Sequence, residues 1–302
     1  MVVSDLVGNT PLYEIKYFKS KSVRLFAKLE WYNPSGSVKD RAATRIFVQA
    51  LKAGKLSNKV LLDATSGNTG IAYAMLGASY CVPIELALPE NATAERKLMI
   101  RQFGAKIHYT SPLEGTDGAQ RFVQEQLKAY PDMYYCPDQY NNEDNWKAHY
   151  YGTGPEIYRQ SNGEITHFVC GVGTSGTFVG TSRFLQDHGV TCVQVQPDTP
   201  MHGLEGWKHL DTAIVPGIYD PNLAHEHMVV STDHAFSYAK SAATHLGLML
   251  SPSSAANLYA ALQVCESIES GTVVTVFPDN AFKYLKEPFW SDDDYNIDNP
   301  FA

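Results

Sequence analysis

An α/β fold with mainly parallel twisted sheets covered by helices is predicted by three features of the sequence, which allow one elongated fold or two lobes. Short apolar runs alternate with longer stretches of helical spacing, and glycine or proline stands at most of the switches. Two of those switches are turns rich in glycine and hydroxyls, placed where a strand hands over to a helix. The 302 residues are enough for about two domains of roughly 150 residues each.

Taken in order, Val60 to Leu62 reads as a strand and Ile71 to Ser79 as the helix after it. Ile84 to Leu88 is followed in the same way by Ala94 to Phe103, and Phe168 to Cys170 by Phe178 to Gln186. A strand that returns through a helix pairs in parallel with its predecessor and is buried on both faces. No period of about 20 to 50 residues recurs, which disfavours a solenoid or propeller. Two stretches break the alternation. Gln196 to Pro221 carries prolines 197, 200, 216 and 221 with glycines 203, 206 and 217, and has the length of a functional lid. The tail after Pro288, with Asp292, Asp293 and Asp294 in a row, reads as a solvated or frayed end.

Composition excludes several classes of function. The 24 Lys and Arg against 32 Asp and Glu leave a net charge of −8, which argues against nucleic acid as the main partner. Hydrophobic residues at 44% against 19% charged suffice for a sizeable core. No basic run followed by an apolar run opens the chain, and no apolar segment nears the ~20 residues that span a bilayer, so a cytoplasmic protein without membrane contact is expected. Cys81, Cys136, Cys170, Cys192 and Cys265 form no CxxC pair and are odd in number. They read as reduced thiols, mostly packed in the core, rather than as disulfides or a zinc site. Histidines 149, 202, 209, 225, 227 and 234 show no metal spacing, and tyrosines 134, 135, 150 and 151 read as packing or cleft-lining residues. No metal is expected.

Three segments carry chemistry. Asn33-Pro-Ser-Gly-Ser-Val-Lys39-Asp40-Arg41 runs from an Asn-Pro turn into an alanine-rich helical stretch, and Ser37-x-x-Asp40 has capping-box spacing, which predicts a helix from about Ser37. Lys39 then faces the positive end of the helix dipole, which favours the neutral amine of a nucleophile or Schiff-base lysine. The plainer reading is a helix start with a solvated lysine. Asp63-Ala-Thr65-Ser66-Gly67-Asn68-Thr69-Gly70 brings backbone N–H groups, hydroxyls and an amide to a helix N-terminus. That is either an anion cradle of carboxylate size or a glycine turn with a hydroxyl cap. Gly171-Val-Gly173-Thr174-Ser175-Gly176-Thr177 opens another helix and formally fits GxGxxG, with Asp198 as a loose candidate for the acidic residue of a dinucleotide site. The hydroxyls of Thr174, Ser175 and Thr177 suit a terminal phosphate monoester better than a pyrophosphate.

Together these stretches resemble the cysteine synthase family, pyridoxal-phosphate enzymes of fold type II with the tryptophan-synthase-β-like architecture. The resemblance runs from Val7-Gly8-Asn9-Thr10-Pro11-Leu12 through Asn33 to Ala43 and Thr65 to Gly70. It continues through Gln139 to Asn142, Thr153 to Ile157 and the glycine turn at 171 to 177. It implies a smaller, substrate-closing lobe of residues 1–10 and 33–143 and a larger, cofactor-binding lobe of 11–32 and 144–302, with pyridoxal 5′-phosphate between them. It also implies a homodimer.

By position, Lys39 resembles the lysine that binds the cofactor covalently and later serves as general base. Asn68 resembles the residue on the cofactor's phenolic oxygen, and Ser253 the serine facing the pyridine nitrogen. Gly173, Thr174, Ser175, Gly176 and Thr177 would cradle the phosphate. Thr65, Ser66, Gly67, Thr69 and Gln139 would hold the substrate carboxylate. A hydroxyl opposite the ring nitrogen makes the ring a weak electron sink, which favours β-elimination.

The implied reaction is ping-pong replacement of the β-substituent of O-acetylserine or O-phosphoserine by sulfide or a thiol, giving L-cysteine. Gly203 to Pro216 resembles the loop of the B-type branch, where Lys208 stands at about the position of a cation that pairs with a phosphate leaving group. Two departures bear on the shape around the pyridine ring. The run Ser251-Pro252-Ser253-Ser254-Ala255 stands for Gly-Ile-Ser-Ser-Gly, and Asn280-Ala-Phe-Lys-Tyr-Leu-Lys286 for Gly-Glu-Arg-Tyr-Leu-Ser-Thr. Cystathionine β-synthase, desulfhydrase or diaminopropionate synthase chemistry is the alternative within the resemblance, and a dinucleotide-dependent oxidoreductase the alternative outside it.

Overall fold

The computed structural model describes residues 2–16, 22–65 and 67–302. Ser66, expected at the carboxylate turn, lies outside the described residues. Among them, ten strands occur in the order β1 Leu12–Ile15, β2 Val23–Leu29, β3 Val60–Ala64, β4 Ile84–Pro89, β5 Lys106–Thr110, β6 Tyr134–Tyr135, β7 His167–Gly171, β8 Thr191–Pro197, β9 Glu226–Val230 and β10 Gly271–Phe277. The helices are α1 Lys39–Lys52, α2 Asn68–Tyr80, α3 Ala94–Gln102, α4 Gly115–Ala129, α5 Glu143–Ala148, α6 Gly154–Gln160, α7 Gly176–Gln186, α8 Thr232–Ser241 and α9 Pro252–Ser267. The chain forms two compact units. The first is Met1–Val7, Asn33–Ser35 and Lys39–Asn145, and the second Gly8–Tyr32, Gly36–Val38 and Trp146–Ala302.

The first unit has a four-stranded sheet in the order β5-β4-β3-β6, parallel throughout. Successive side chains of a strand point to opposite faces, and the core divides accordingly. Leu61 packs with Phe47 of α1 and with Ile71, Tyr73 and Leu76 of α2, while Leu62 and Ala64 join Ala119 and Val123 of α4 on the other face. Each fully buried leucine contributes roughly 1.5–3 kcal/mol. Helix α2 is buried continuously from Thr69 to Gly77, which is why its sequence is apolar all round instead of striped. Its N-terminus is therefore held by packing from Thr69 onward, with Asn68 half-buried at its start.

The second unit has a six-stranded sheet in the order β1-β2-β10-β7-β8-β9, parallel except for β1 against β2. Val169, Val193 and Val273 face α9, whose Ala255, Ala256, Ala260 and Ala261 allow close approach. Phe168, Cys170, Cys192 and Val274 face Phe178, Val179 and Leu185 of α7. In both units the helix that bears a motif follows the C-terminal end of a parallel strand, where ligands bind in such sheets.

The tail corrects the expectation of a solvated end. Phe289 and Phe301 are buried in the core of the second unit, and the Phe289 ring stacks on Phe236 with centroids 4.2 Å apart. Between these anchors the tail is as expected: residues 291–294, with the acidic run Asp292, Asp293 and Asp294, and residues 296–299 are exposed. The aromatic side chains before and after the acids, Phe289 and Phe301, anchor the backbone. Cys170, Cys192 and Cys265 are buried, Cys136 is half-buried and Cys81 is exposed. Among the described residues no helix is long and apolar enough to cross a membrane.

Candidate active site

In the first unit Lys39 is the first residue of α1 and is half-buried. The helix begins two residues later than the Ser37 spacing predicts. The backbone explains the delay. Gly36 has φ +83°, outside the helical region, and Val38 N–H donates to Pro278 O at 2.8 Å. Asp40, expected to reach back to Ser37, instead accepts from Ser35 N–H at 2.6 Å and from the Ser35 hydroxyl. A fully buried carboxylate thus holds the loop on which Lys39 stands.

The turn after β3 is organised by Thr65. Its N–H donates to Ala87 O at 3.0 Å, and its buried hydroxyl accepts from Gly67 N–H and Gly70 N–H, both at 3.2 Å. Thr65 therefore shapes the turn from within. Asn68 opens α2 and is half-buried. Thr69, the next residue, donates its hydroxyl to Gln139 Oε1 at 3.0 Å, and Gln139 O accepts from Asn145 Nδ2 at 2.6 Å. The structure thus brings Thr69 and Gln139 together across 70 residues of sequence.

Two residues beneath this turn escaped the sequence reading. Arg96 of α3 is 1% exposed and lies along Gly67, where an added Cβ would stand 2.9 Å from its Cδ and Nε. Gly67 is needed so that a buried guanidinium can back the turn. Asp63 is 5% exposed, and burial pushes its carboxyl up to about 8. The Ala64 N–H bond opposes that shift and the Asp138 charge adds to it. Neither burial is visible in the sequence, where Arg96 falls in the helical stretch Ala94 to Phe103 and Asp63 only opens the glycine turn.

In the second unit the turn from β7 into α7 is strained at one non-glycine residue. Ser175 has φ +68°, in the left-handed region, and is 3% exposed. Its hydroxyl is buried and makes no hydrogen bond among the described residues. The turn is packed against the long connection between β8 and β9: Lys208 N–H donates to Val172 O at 2.9 Å, and a Cβ on Gly173 would stand 1.9 Å from Gly206 O. Leu204, Trp207 and Leu210 of that connection are buried. This part of the predicted lid is an anchored wall of the turn. The Lys208 ammonium lies 3.3 Å from Ile214 O of the same connection.

Thr177, in the first turn of α7, has its hydroxyl 3.3 Å from His149 Nε2. His149 is 1% exposed and its Nδ1 lies 2.8 Å from the Thr153 hydroxyl, so the imidazole bridges two threonines. Its sequence separates it from the other histidines only by the i, i+4 spacing to Thr153. Ser253 sits in the first turn of α9, 5% exposed, with its hydroxyl 3.1 Å from that of Ser251. Ser251 caps the helix by accepting from Ser254 N–H at 3.2 Å. Asp198, the residue a dinucleotide site would require, is exposed.

A buried unsatisfied hydroxyl on a left-handed residue, at the N-terminus of an 11-residue helix, fits the acceptor oxygens of a phosphate group. The family of pyridoxal-phosphate dependent enzymes matches residues 3–279. The chain belongs to that family. A cysteine synthase of Aquifex aeolicus is 48% identical over 97% of this chain and 93% of its own length. An O-acetylserine dependent cystathionine beta-synthase of Bacillus subtilis is 35% identical over 95% and 97% respectively. The crystal structure of a cysteine synthase from Entamoeba histolytica matches with a TM-score of 0.90 and 31% identity over 96% of this chain and 90% of that one. The fold is that of the type II pyridoxal-phosphate enzymes, and the dinucleotide reading of the glycine turn is overturned.

For this pyridoxal-phosphate enzyme the close approach at Gly173 has a testable consequence. The atom that a Cβ would strike belongs to backbone, so no side-chain rotation relieves the clash. Gly173→Ala is expected to weaken cofactor binding about 100-fold, the scale on which an ångström of displacement is felt. Fluorescence titration of the apoenzyme with pyridoxal phosphate measures this, and wild-type affinity would show that the turn does not hold the cofactor.

Proposed function

We propose that this enzyme replaces the acetoxy group of O-acetyl-L-serine by sulfide, forming L-cysteine and acetate. The observation that carries this reading is the 48% identity to a cysteine synthase over nearly the whole length of both chains. When bound, the cofactor supplies the electron sink that makes the Cα proton of the amino acid removable.

The roles of the side chains follow. Lys39 would hold the cofactor through its amine and, as a free amine, would serve as the base for the Cα proton. Its position at the N-terminus of α1 disfavours the ammonium form and so suits it to that task. Asn68 orients the ring through its phenolic oxygen. Thr65, Ser66, Gly67, Thr69 and Gln139 form the seat of the substrate carboxylate, with Thr65 supporting the turn and Thr69 and Gln139 fixed by their mutual hydrogen bond.

Gly173, Thr174, Ser175, Gly176 and Thr177 take the phosphate, to which Ser175 offers its buried hydroxyl. Ser253 would offer the ring nitrogen a neutral hydroxyl. The acetate leaves from Cβ, the thiolate of the second substrate bonds there, and Lys39 returns its proton to Cα. The name of the O-acetylserine dependent relative favours the acetyl ester over the phosphate ester. A cytoplasmic homodimer is the assembly this reading carries with it.

The deciding experiment follows the visible absorption of the purified enzyme as O-acetylserine, then sulfide or homocysteine, is added. The band of the lysine-bound cofactor is expected to shift with O-acetylserine and to return with sulfide as cysteine accumulates. O-phosphoserine is expected to act at least about tenfold more slowly, a barrier difference of roughly 1.4 kcal/mol. Return with homocysteine alone would make the enzyme a cystathionine synthase. Absence of any band after incubation with pyridoxal phosphate would overturn the reading.

A further inference from the structure

The short segment from Pro278 to Tyr284, where the sequence departs from the family pattern, grips two parts of the second unit that the proposed reaction depends on. One is Gly36–Val38, the run that leads directly into Lys39. Val38 N–H donates to Pro278 O at 2.8 Å, and the Lys283 ammonium donates to Gly36 O at 3.2 Å. The other is the turn that carries Ser253. Asp279 O accepts from the hydroxyls of Ser251 at 3.1 Å and Ser254 at 2.6 Å, and the Ser251 hydroxyl lies 3.1 Å from that of Ser253.

Lys283 joins these two attachments. Its side chain is 9% exposed and its ammonium lies 3.8 Å from Asp279 Oδ2, in a side chain 1% exposed. The same carboxylate oxygen accepts from Tyr284 OH at 2.9 Å. A buried ion pair is a poor device for stability, because apolar side chains of the same volume serve as well without the cost of desolvating two charges. What a buried cation does provide is direction. It draws a carbonyl oxygen to a defined point, and Gly36, with φ +83°, turns its carbonyl where a helical residue would not.

We infer that Lys283 is a positioning residue for the reaction: by tying Gly36 O to the Asp279 carboxylate it sets the segment before Lys39 in register with the turn that holds Ser253. The inference rests on the cysteine synthase reading proposed above. It gives Lys283 a role in presenting the Lys39 amine, and leaves proton transfer and cofactor contact to the residues already named.

The test uses the holoenzyme with K283A, K283R and Tyr284→Phe. K283A is expected to slow the O-acetylserine half-reaction in stopped flow about 10- to 100-fold, as displaced reacting groups do, while KM for O-acetylserine moves less than about threefold. It should also shift the pH titration of the lysine-bound cofactor's visible band, a readout that loss of stability alone leaves in place. K283R, which retains a cation that reaches the same carbonyl, should recover the half-reaction to within about threefold of wild type.

A K283A enzyme with wild-type half-reaction and titration overturns the inference, as does a folded K283R that recovers neither. If K283A does not fold, Tyr284→Phe carries the test, since it loosens Asp279 and leaves the cation. It should slow the half-reaction about threefold or more, and a wild-type rate overturns the inference. Borohydride reduction of the wild-type holoenzyme, followed by peptide mass spectrometry, separates this outcome from failure of the functional reading. Without a cofactor adduct on Lys39 the functional reading fails. With the adduct and an unaffected K283A, only the role of Lys283 fails.

Discussion

Lys39→Ala is expected to lower kcat/KM for cysteine formation by at least about 10³-fold, because in the proposed mechanism the substitution removes both the nucleophile that holds the cofactor and the base that takes the Cα proton. The fold is expected to survive it. Alanine is the strongest helix former, and Lys39 is the first residue of α1, where a cation opposes the helix dipole. The neighbouring bonds from Ser35 to the Asp40 carboxylate use no atom of the lysine side chain. Thermal midpoints of the two proteins should therefore agree within a few degrees while their turnover differs by about three orders of magnitude. Steady-state kinetics beside a melting curve checks both halves. A variant that keeps a tenth of wild-type activity would remove Lys39 from the chemistry. Lys39→Arg should be as inactive as the alanine variant, since a guanidinium neither bonds the aldehyde carbon nor accepts a proton near neutral pH.

What the sequence made legible was the part governed by local rules. Strand β7 and helix α7 were readable because an apolar run ends in glycines and then gives way to helical spacing. The glycine-rich turns were readable because a helix N-terminus must leave N–H groups unpaired. The parts that escaped depend on neighbours distant in sequence. The start of α1 was misplaced by two residues because Val38 N–H is drawn to Pro278, 240 residues further along the chain. His149 looked like five other histidines until the fold placed it against Thr177.

The acidic tail was read by its charges, yet Phe289 and Phe301 decide where it lies. The strain at Ser175 has no local signature, since serine gives no sign of a positive φ. Arg96 and Asp63 were hidden for a related reason. Charge in sequence predicts exposure, yet both are buried.

Asp63 gives the second large effect, and its sign can be worked out. In the unfolded chain its carboxyl ionises near an ordinary 3.8, and in the folded enzyme near 8, chiefly because burial penalises the charged form. Between those values the folded state holds a proton that the unfolded state has lost, so stability falls as pH rises. The favourable contribution is complete below pH 3.8 and gone above pH 8. A shift of this size corresponds to roughly 5–6 kcal/mol across the window.

Tyr73, Tyr135, Tyr140 and Cys136 surround the same site, and each has its own ionisation pushed upward, by burial first and by the Asp63 charge among the further causes. They stay neutral, so Asp138 is the charge that faces Asp63. Asparagine keeps the acceptor for Ala64 N–H, 2.9 Å away, and cannot ionise. Asp63→Asn is therefore expected to gain little near pH 4 and to exceed wild type by at least about 2 kcal/mol at pH 9, a gap that urea denaturation at the two pH values resolves.

The same charge bears on catalysis. Asp63 stands two residues before Thr65, so its ionisation places a negative charge behind the proposed seat of the substrate carboxylate. KM for O-acetylserine should rise above pH 8 in the wild type and stay flatter in Asp63→Asn. Parallel pH curves for the two enzymes would show that the ionisation of Asp63 does not reach the substrate carboxylate.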